Sequence, residues 1–489
     1  MRDLLFDQEA LLSFASQFRP LRSMLALVMT AALVTAGAAE ARRARSCAPY
    51  PTFREPREGL HLLKDVYNPT VRHEQGEVRE TFQRMSRDAL SYFKGALVVF
   101  YHDLFDARMP WAREPVGPDA LILGDAHIQN LGTVRDGRGV LAYDWLRYDH
   151  ATQGPIMLDV RRLLVSLVLL ADEISADEVD IDALLSETIR SYRESVLRLS
   201  RDPAACNLAL SMENATAFVR KMLRNASRLI RTDLLARWTV LSSHGRRFIT
   251  QGDFQSIEPA HRDAFEHALM HLNMAGRPPC FFRVKDATHR VYDGRGCRGH
   301  ERIYLLVEGP TPCPDDDLIL EASMKPIPSL PHFLRSASPA TADQTARVMQ
   351  VARALRRSPE PYLARITVGR DAYVVEEVQP WETVLSTEDL ETTADLFDLA
   401  RASALLLARA HVLTAASPEK LAAFVWSWIR RCSAIEPSLV AFARRYADQM
   451  HAEHAVFRSH VAVKPLLVIP DCKRRGGCKS CRRCRAARR

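Results

Sequence analysis

Over most of its 489 residues the chain carries almost no excess charge of either sign. The formal net charge is +8, but Asp471 to Arg489 alone hold nine Lys or Arg against one acid, so the tail accounts for the whole excess. A body near neutrality excludes an extended groove for a nucleic-acid backbone, which needs basic residues spread over a folded face, and no specific nucleic-acid partner is expected. Internal repeats are missing too, so the body is not a repeat array. Clusters of the GNHD kind, usual in metal-dependent phosphohydrolases, are absent.

One uncharged run stands out. Arg19 and Arg22 precede Ser23 to Ala39, and small residues follow at Ala36, Ala38, Ala39 and Ala41. A basic flank, a short apolar core and a small-residue cleavage site are the layout of a secretory signal, so residues 1–41 are expected to export the body to the periplasm or cell envelope. An uncleaved anchor is the alternative, and without a signal the protein stays cytoplasmic. Met24 is a candidate initiator. The ten cysteines end in CxxxxxCxxCxxC at 472, 478, 481 and 484, set among Arg and Lys. No histidine accompanies them, so a basic or disulfide-linked tail over 466–489, able to touch anionic surfaces, is favoured over a zinc knob.

Residues 42–76 are rich in Pro and Arg and read as an exposed lead-in. From Glu77 the apolar residues Phe82, Met85, Leu90, Phe93, Ala96 and Leu97 fall at helical spacing. ALILGDAHIQNLGTV and GVLAYDWLRYD read as short strands flanking a loop and a turn at Asp136 to Gly139. MLDVRRLLVSLVLLADEI returns to helical spacing with Arg161 and Arg162 on its outer side, and the pattern stays helical to Leu272. The texture then changes to strands from Phe281, interrupted by a helix from Thr341 to Arg356, and becomes helical again from Glu388 to His460. The expected organisation is a helical lobe over 77–280, an antiparallel sheet lobe over 281–385 and C-terminal helices over 386–465.

The chemistry concentrates between Gly124 and Asp159, which read as an acidic, metal-binding site for phosphoryl transfer. GDAHIQN sets Asp125 and Asn130 five residues apart on a loop leaving an apolar strand, and Asp144 follows the apolar run VLAY. One carboxylate is suited to orient a hydroxyl, while an amide oxygen and a second carboxylate are hard ligands for magnesium against phosphate oxygens. Read blandly, Asp125 and Asn130 only close a turn. Asp144 and then Asp159 at a helix start favour the site, because a turn does not call for such a series. His127 is expected to hydrogen-bond the loop backbone, and His411 to be a packed histidine.

Far downstream, Gly294, Gly296 and Gly299 match GxGxxG. The next residues, ERIYLLVE, are a strand, so the loop suits backbone amides laid over nucleotide phosphates, with Lys325 ending the following strand within reach of them. A glycine-tightened hairpin is the bland reading.

GDAHIQNLG, AYDWLRYDHATQGPIMLDVRRLLVSL, VYDGRGCRGHERIYLLVEG, GRDAYVVEEV and LLLARAH, spanning roughly Glu77 to Ala415, resemble the bacterial domain-of-unknown-function family 2252. That family in turn resembles the kinase-like fold of aminoglycoside and choline phosphotransferases. The resemblance implies an α+β, two-lobed kinase-like fold with circularly permuted lobe order, since the catalytic loop precedes the glycine loop. It implies ATP or another nucleotide with Mg2+ as cofactors, and a small-molecule or protein hydroxyl as acceptor. Asp125 becomes the catalytic aspartate, Asn130 and Asp144 the metal ligands, and Lys325 with Gly294, Gly296 and Gly299 the nucleotide site. Asp159 becomes the brace of the catalytic loop. Arg147 stands where an NDFD-like stretch has a second acid, and Gln350 where a helix would offer Lys325 a glutamate. Two other classes stay open: a catalytically silent kinase-like binding module in the envelope, and a phosphohydrolase with metal on Asp125, His127 and Asp144.

Overall fold

The computed structural model describes residues 53–71, 81–109, 111, 116–174, 179–207, 209–243, 245–250, 254–272, 283–290, 301–330, 333, 343–356, 358, 360–430 and 432–463. All of them belong to the compact unit that runs from Thr52 to Arg489. The export signal expected over 1–41 and the cysteine-rich tail over 466–489 lie outside the described residues. Among the described residues no helix is long and apolar enough to cross a membrane.

The architecture is mixed α+β with several antiparallel sheets. The described part of 42–76 corrects the expectation of an exposed lead-in, because it packs. Helix α1 (Pro56–Val71) follows Arg54, whose guanidinium is buried between Asp103 at 2.9 Å and Glu453 at 2.5 Å. Composition alone cannot reveal this, since a buried arginine is decided by distant carboxylates. Helices α2 (Ala89–Gly95) and α3 (Leu97–Phe105) follow, with Asp88 capping α2 through the Ser91 N–H.

Strand β1 (Asp119–Ile122) leads into the GDAHIQN loop, and the hairpin of β2 (Leu131–Arg135) and β3 (Leu141–Trp145) comes next. Its turn is closed by the Asp136 N–H donating to Val140 O and by Gly139 at φ +80°, as the sequence predicts. Strand β4 (Thr152–Pro155) returns to pair with β1. Helix α4 (Met157–Glu173) is enclosed along nearly its whole length, and α5 (Ile181–Arg201) leads to β5 (Leu210–Ser211), which joins the β2–β3 sheet.

Helix α6 (Ala217–Ser227) ends the helical stretch, and the expected lobe boundary near residue 280 needs correction. Helix α7 (Arg231–Trp238), the hairpin β6 (Thr239–Ser242) and β7 (Gly245–Phe248), β8 (Phe254–Ser256) and α8 (Pro259–Met270) precede that boundary, yet α7, β7, β8 and α8 pack with the large sheet. These strands are too short to show a period, and Val240 and Leu241 point to solvent. The sheet runs in the order β12 (Ala364–Val368), β13 (Asp371–Glu377), β11 (Leu318–Ser323), β10 (Arg302–Val307), β9 (Val284–Arg290) and β8, every pair antiparallel. RIYLLV of β10 and LILEAS of β11 are buried on both faces. Alternate residues explain how: Ile303, Leu305 and Leu320 meet Phe265 of α8, while Tyr304, Leu306 and Ile319 meet Leu235 and Trp238 of α7.

Helix α9 (Gln344–Leu355), N-capped by Asp343, lies between β11 and β12 in sequence. After β13 the chain adds β14 (Thr383–Val384) to the edge of the β2–β3 sheet, so one short segment connects the two sheets. Helix α10 (Thr393–Thr414), opened by a capping box at Thr392 and Asp395, packs along α5. Helices α11 (Pro418–Arg430) and α12 (Cys432–Val463) complete the helical core.

Candidate functional site

The loop after β1 is held by the first turn of α4. Asp159 accepts from the Leu123 N–H at 2.7 Å and the Gly124 N–H at 3.0 Å, and its Oδ2 lies 3.3 Å from His411 Nε2. Tyr192 sits 2.8 Å from the other nitrogen of His411, and Tyr101 donates to Gly124 O at 2.5 Å. Asp159 is thus a brace and His411 a packed partner behind it. Gly124 has φ +73°, and a Cβ there would stand 2.0 Å from His150 O, so the close approach of the two loops requires glycine.

That brace presents Asp125 to Arg162, His127 and His150. Its Oδ1 accepts from Arg162 Nε at 2.6 Å and its Oδ2 lies 3.8 Å from His127 Nε2, with the side chain 20% exposed. Burial pushes the Asp125 carboxyl up, but Arg162, His127 and His150 outweigh it and hold it below the ordinary range. Arg161 and Arg162, expected on the outer side of α4, are buried. The Arg162 guanidinium lies 4.3 Å from the Phe93 ring centroid and 5.2 Å from that of Phe100. An arginine at this depth is tolerated because Asp125 pairs with it.

Burial, together with Lys94 and Arg162 and against Asp125, pushes the His127 imidazole down to about 3. Its Nδ1 has no hydrogen-bond partner among the described residues, so the expected ring bond to the loop backbone is not made. Burial also lowers His150, and it lowers Lys94, which donates to Gln129 Oε1 at 2.8 Å.

The second half of the site is the segment from Arg147 to Ala151, which follows β3. Asn130 Nδ2 donates to Asp125 O at 3.3 Å and to Arg147 O at 3.2 Å, tying the GDAHIQN loop to it. Asp149 on that segment lies 3.2 Å from Lys325 Nζ, and Glu376 of β13 lies 3.7 Å from the same ammonium. Asp125 and Lys325, two hundred residues apart in the chain, therefore flank one short loop.

Asp144, expected as a metal ligand, faces elsewhere. Its Oδ2 accepts from Arg409 Nη1 at 2.8 Å and its Oδ1 from the Trp145 N–H at 2.9 Å, so each oxygen already holds one donor. Arg147, standing where a second acid was expected, pairs with Glu382 at 2.8 Å. Gln350 is exposed. Arg347, one turn earlier on α9, is buried and donates to Ala151 O at 2.5 Å, Asp149 O at 2.8 Å and Pro326 O at 2.9 Å. It thereby clips the Lys325 strand end to the Asp149 loop.

Gly294, Gly296 and Gly299 lie outside the described residues. Among the described residues no three His, Cys, Asp or Glu side chains converge closely enough to hold a metal ion, which leaves the phosphohydrolase expectation without a ligand set there. Magnesium needs less from the protein, one or two hard oxygens with water and phosphate completing its shell. Asn130 Oδ1 and the Asp149 carboxylate are hard oxygens of that kind, on two segments that Asn130 Nδ2 ties together, while Asp144 is engaged by Arg409.

Sequence reasoning missed Arg162, Asp149, His150, Lys94 and Arg347. Asp149 shares AYDWLRYDH with Asp144, but nothing in the string says which aspartate faces the cleft. The two arginines left no signal, because helical periodicity does not reveal an ion pair.

Comparison with known proteins adds one relationship. Residues 74–460 match a family described as "Uncharacterized protein conserved in bacteria (DUF2252)". No curated protein and no solved structure matches the chain.

Proposed function

We propose, for a chain that belongs to this bacterial DUF2252 family, a kinase-like phosphotransferase of circularly permuted lobe order that moves a phosphoryl group from a nucleotide to an acceptor hydroxyl. The observation that carries the reading is that Lys325 and the Asp125 loop are both tied to the Arg147–Ala151 segment, through the 3.2 Å contact of Lys325 with Asp149 and the bonds of Asn130 to Asp125 O and Arg147 O. Phosphoryl transfer asks little of a protein beyond positioning and charge, and a carboxylate and an ammonium tied to one segment could supply both.

In this reading Lys325 contacts the nucleotide phosphates, as the sequence suggests. Asn130 and Asp149 would hold Mg2+, with Asp149 in the place first given to Asp144, and the ion would neutralise charge on the phosphate oxygens. The glycine loop at 294–299 would be the lid over those phosphates, as the resemblance implies. As the acceptor oxygen bonds to phosphorus and the bond to the leaving diphosphate oxygen breaks, the hydroxyl proton passes to Asp125. Arg162 keeps that carboxylate ionised and only weakly basic. Such an aspartate orients the hydroxyl and takes its proton late, which suits a loose transition state.

The test is nucleotide turnover by the purified body with magnesium. Wild type should consume ATP, or another nucleoside triphosphate, in the presence of the right acceptor. Asp125→Asn should fold and be inactive, and retained turnover in that variant would remove Asp125 from the role.

A second reading, a silent kinase-like binding module, draws support from Arg162 on Asp125 and Arg409 on Asp144, which neutralise two of the acids. Export, if residues 1–41 act as a signal, favours it as well, because nucleotide is scarce outside the cytoplasm. It predicts nucleotide or ligand binding with no turnover under any condition.

A further inference from the structure

Two cations, Arg162 and Lys94, act on the single Asp125 carboxylate, and two imidazoles held neutral by burial stand beside it. Arg162 lies 2.6 Å away and His127 3.8 Å away, and Lys94 and His150 act on the same carboxylate. Arg84 and Arg87 stand within electrostatic reach of Lys94. Asp88 is the nearest acidic counterweight to Lys94 besides Asp125, but its oxygens serve the Ser91 N–H and hydroxyl at the start of α2.

The same wall holds hydrogen-bonding capacity that the described residues leave unspent. Arg162 Nη1, His127 Nδ1 and His150 Nδ1 are buried and have no partner among the described residues, with Arg162 0% and His127 7% exposed. Buried polar atoms are almost always satisfied in folded proteins, and an orphan of this kind points to a water or ion that belongs there. An arginine nitrogen is an obligate donor, so what satisfies it must be an acceptor. Lys94, Asp125 and His150 are only partly buried, so these three side chains are within reach of solvent while Arg162 stands behind them.

We propose that the acceptor is an anionic hydroxyl compound, whose phosphate or carboxylate is taken by Lys94 and the His127, His150 and Arg162 wall while its hydroxyl meets Asp125. This rests on the phosphotransferase reading of the same site, and it disfavours choline-like and other cationic acceptors, whose charge Lys94 and Arg162 oppose. The two groups of such a substrate divide the work: the oxyanion pairs with the cations, and the neutral hydroxyl is left to the one carboxylate among them.

The probes are inorganic phosphate, glycerate and choline, titrated onto wild type, Lys94→Met, Lys94→Arg and Asp125→Asn, with the imidazole signals of His127 and His150 followed by NMR. Phosphate or glycerate should move both imidazoles in wild type, and the tighter of the two names the anion. Lys94→Met should weaken binding by about tenfold, the scale of one charge-assisted hydrogen bond, and Lys94→Arg should retain it. Asp125→Asn should tighten anion binding, because the carboxylate that competes for Arg162 is gone. Anion binding that ignores Lys94, weakens in Asp125→Asn, or is outdone by choline overturns the proposal. Mg-ATP binding measured on the same samples separates the two claims. If nucleotide fails to bind while the Lys94-dependent anion site persists, the transferase reading fails and the oxyanion site stands. If nucleotide binds and the anions do not, the reading stands and the oxyanion site fails.

Discussion

Asp125 Oδ1 and Arg162 Nε meet at 2.6 Å beneath the start of α4, and the pair leaves the other carboxylate oxygen turned toward His127. The partners are unequal in depth, since the Arg162 side chain is fully enclosed while that of Asp125 keeps a fifth of its surface in solvent.

That inequality predicts unequal mutants. Asp125→Asn keeps an acceptor for Arg162 but strands the fully enclosed guanidinium without its counter-charge, and should cost about 3 kcal/mol in denaturant unfolding while abolishing any turnover. Arg162→Met leaves a carboxylate that keeps a fifth of its surface in solvent, and should cost less. Equal losses of stability would show that the pair is a structural bridge and nothing more.

The glycine before Asp125 is equally constrained. At φ +73° and with His150 O where a Cβ would sit, Gly124→Ala should destabilise the fold by roughly 1–3 kcal/mol and displace the His150 loop. A changed imidazole signal of His150 in the variant checks the displacement, and an unchanged one would contradict it.

Asp159 predicts a different failure. Its carboxylate satisfies two backbone N–H groups of the loop and faces His411. Asp159→Ala leaves these buried groups unpaired and should lower stability by about 3 kcal/mol or more. Hydrogen exchange at Leu123 and Gly124 should rise first, and protection equal to wild type would remove Asp159 as the brace.

Stability should also depend on pH through the packed N-terminal segment. Burial pushes the Glu453 carboxyl up to about 7 from 4.5, with Arg54 opposing and Asp103 adding to the rise. The folded state keeps a proton that the unfolded chain has already lost between those values. Stability is therefore complete below about 4.5 and falls as pH rises to about 7, by about 3 kcal/mol at most. Glu453→Gln should flatten that slope in unfolding measured from pH 4.5 to 8, and an unchanged slope would assign it to other groups.

What the sequence made legible follows the range of each signal. The β2–β3 hairpin, the helix before β12 and the C-terminal helices rest on local periodicity and turn chemistry, and they stand where expected. The hairpin at β6 and β7 was missed because strands of this length, with Val240 and Leu241 in solvent, show no alternation. Arg54 and Arg162 were read as surface residues because their partners, Asp103, Glu453 and Asp125, come from other elements. The same limit explains Asp144: only the arrival of Arg409 from α10 reveals that Asp149, not Asp144, faces Lys325.

The most direct test of the shared cleft is thermal unfolding with nucleotide. Mg-ATP or Mg-GTP near 100 times its dissociation constant should stabilise the wild-type body by about 2.7 kcal/mol, a rise of a few degrees in Tm. The rise should need magnesium and should vanish in both Lys325→Ala and Asp149→Asn. A Tm that ignores every nucleotide at millimolar concentration, or a shift that survives both substitutions, would contradict the account.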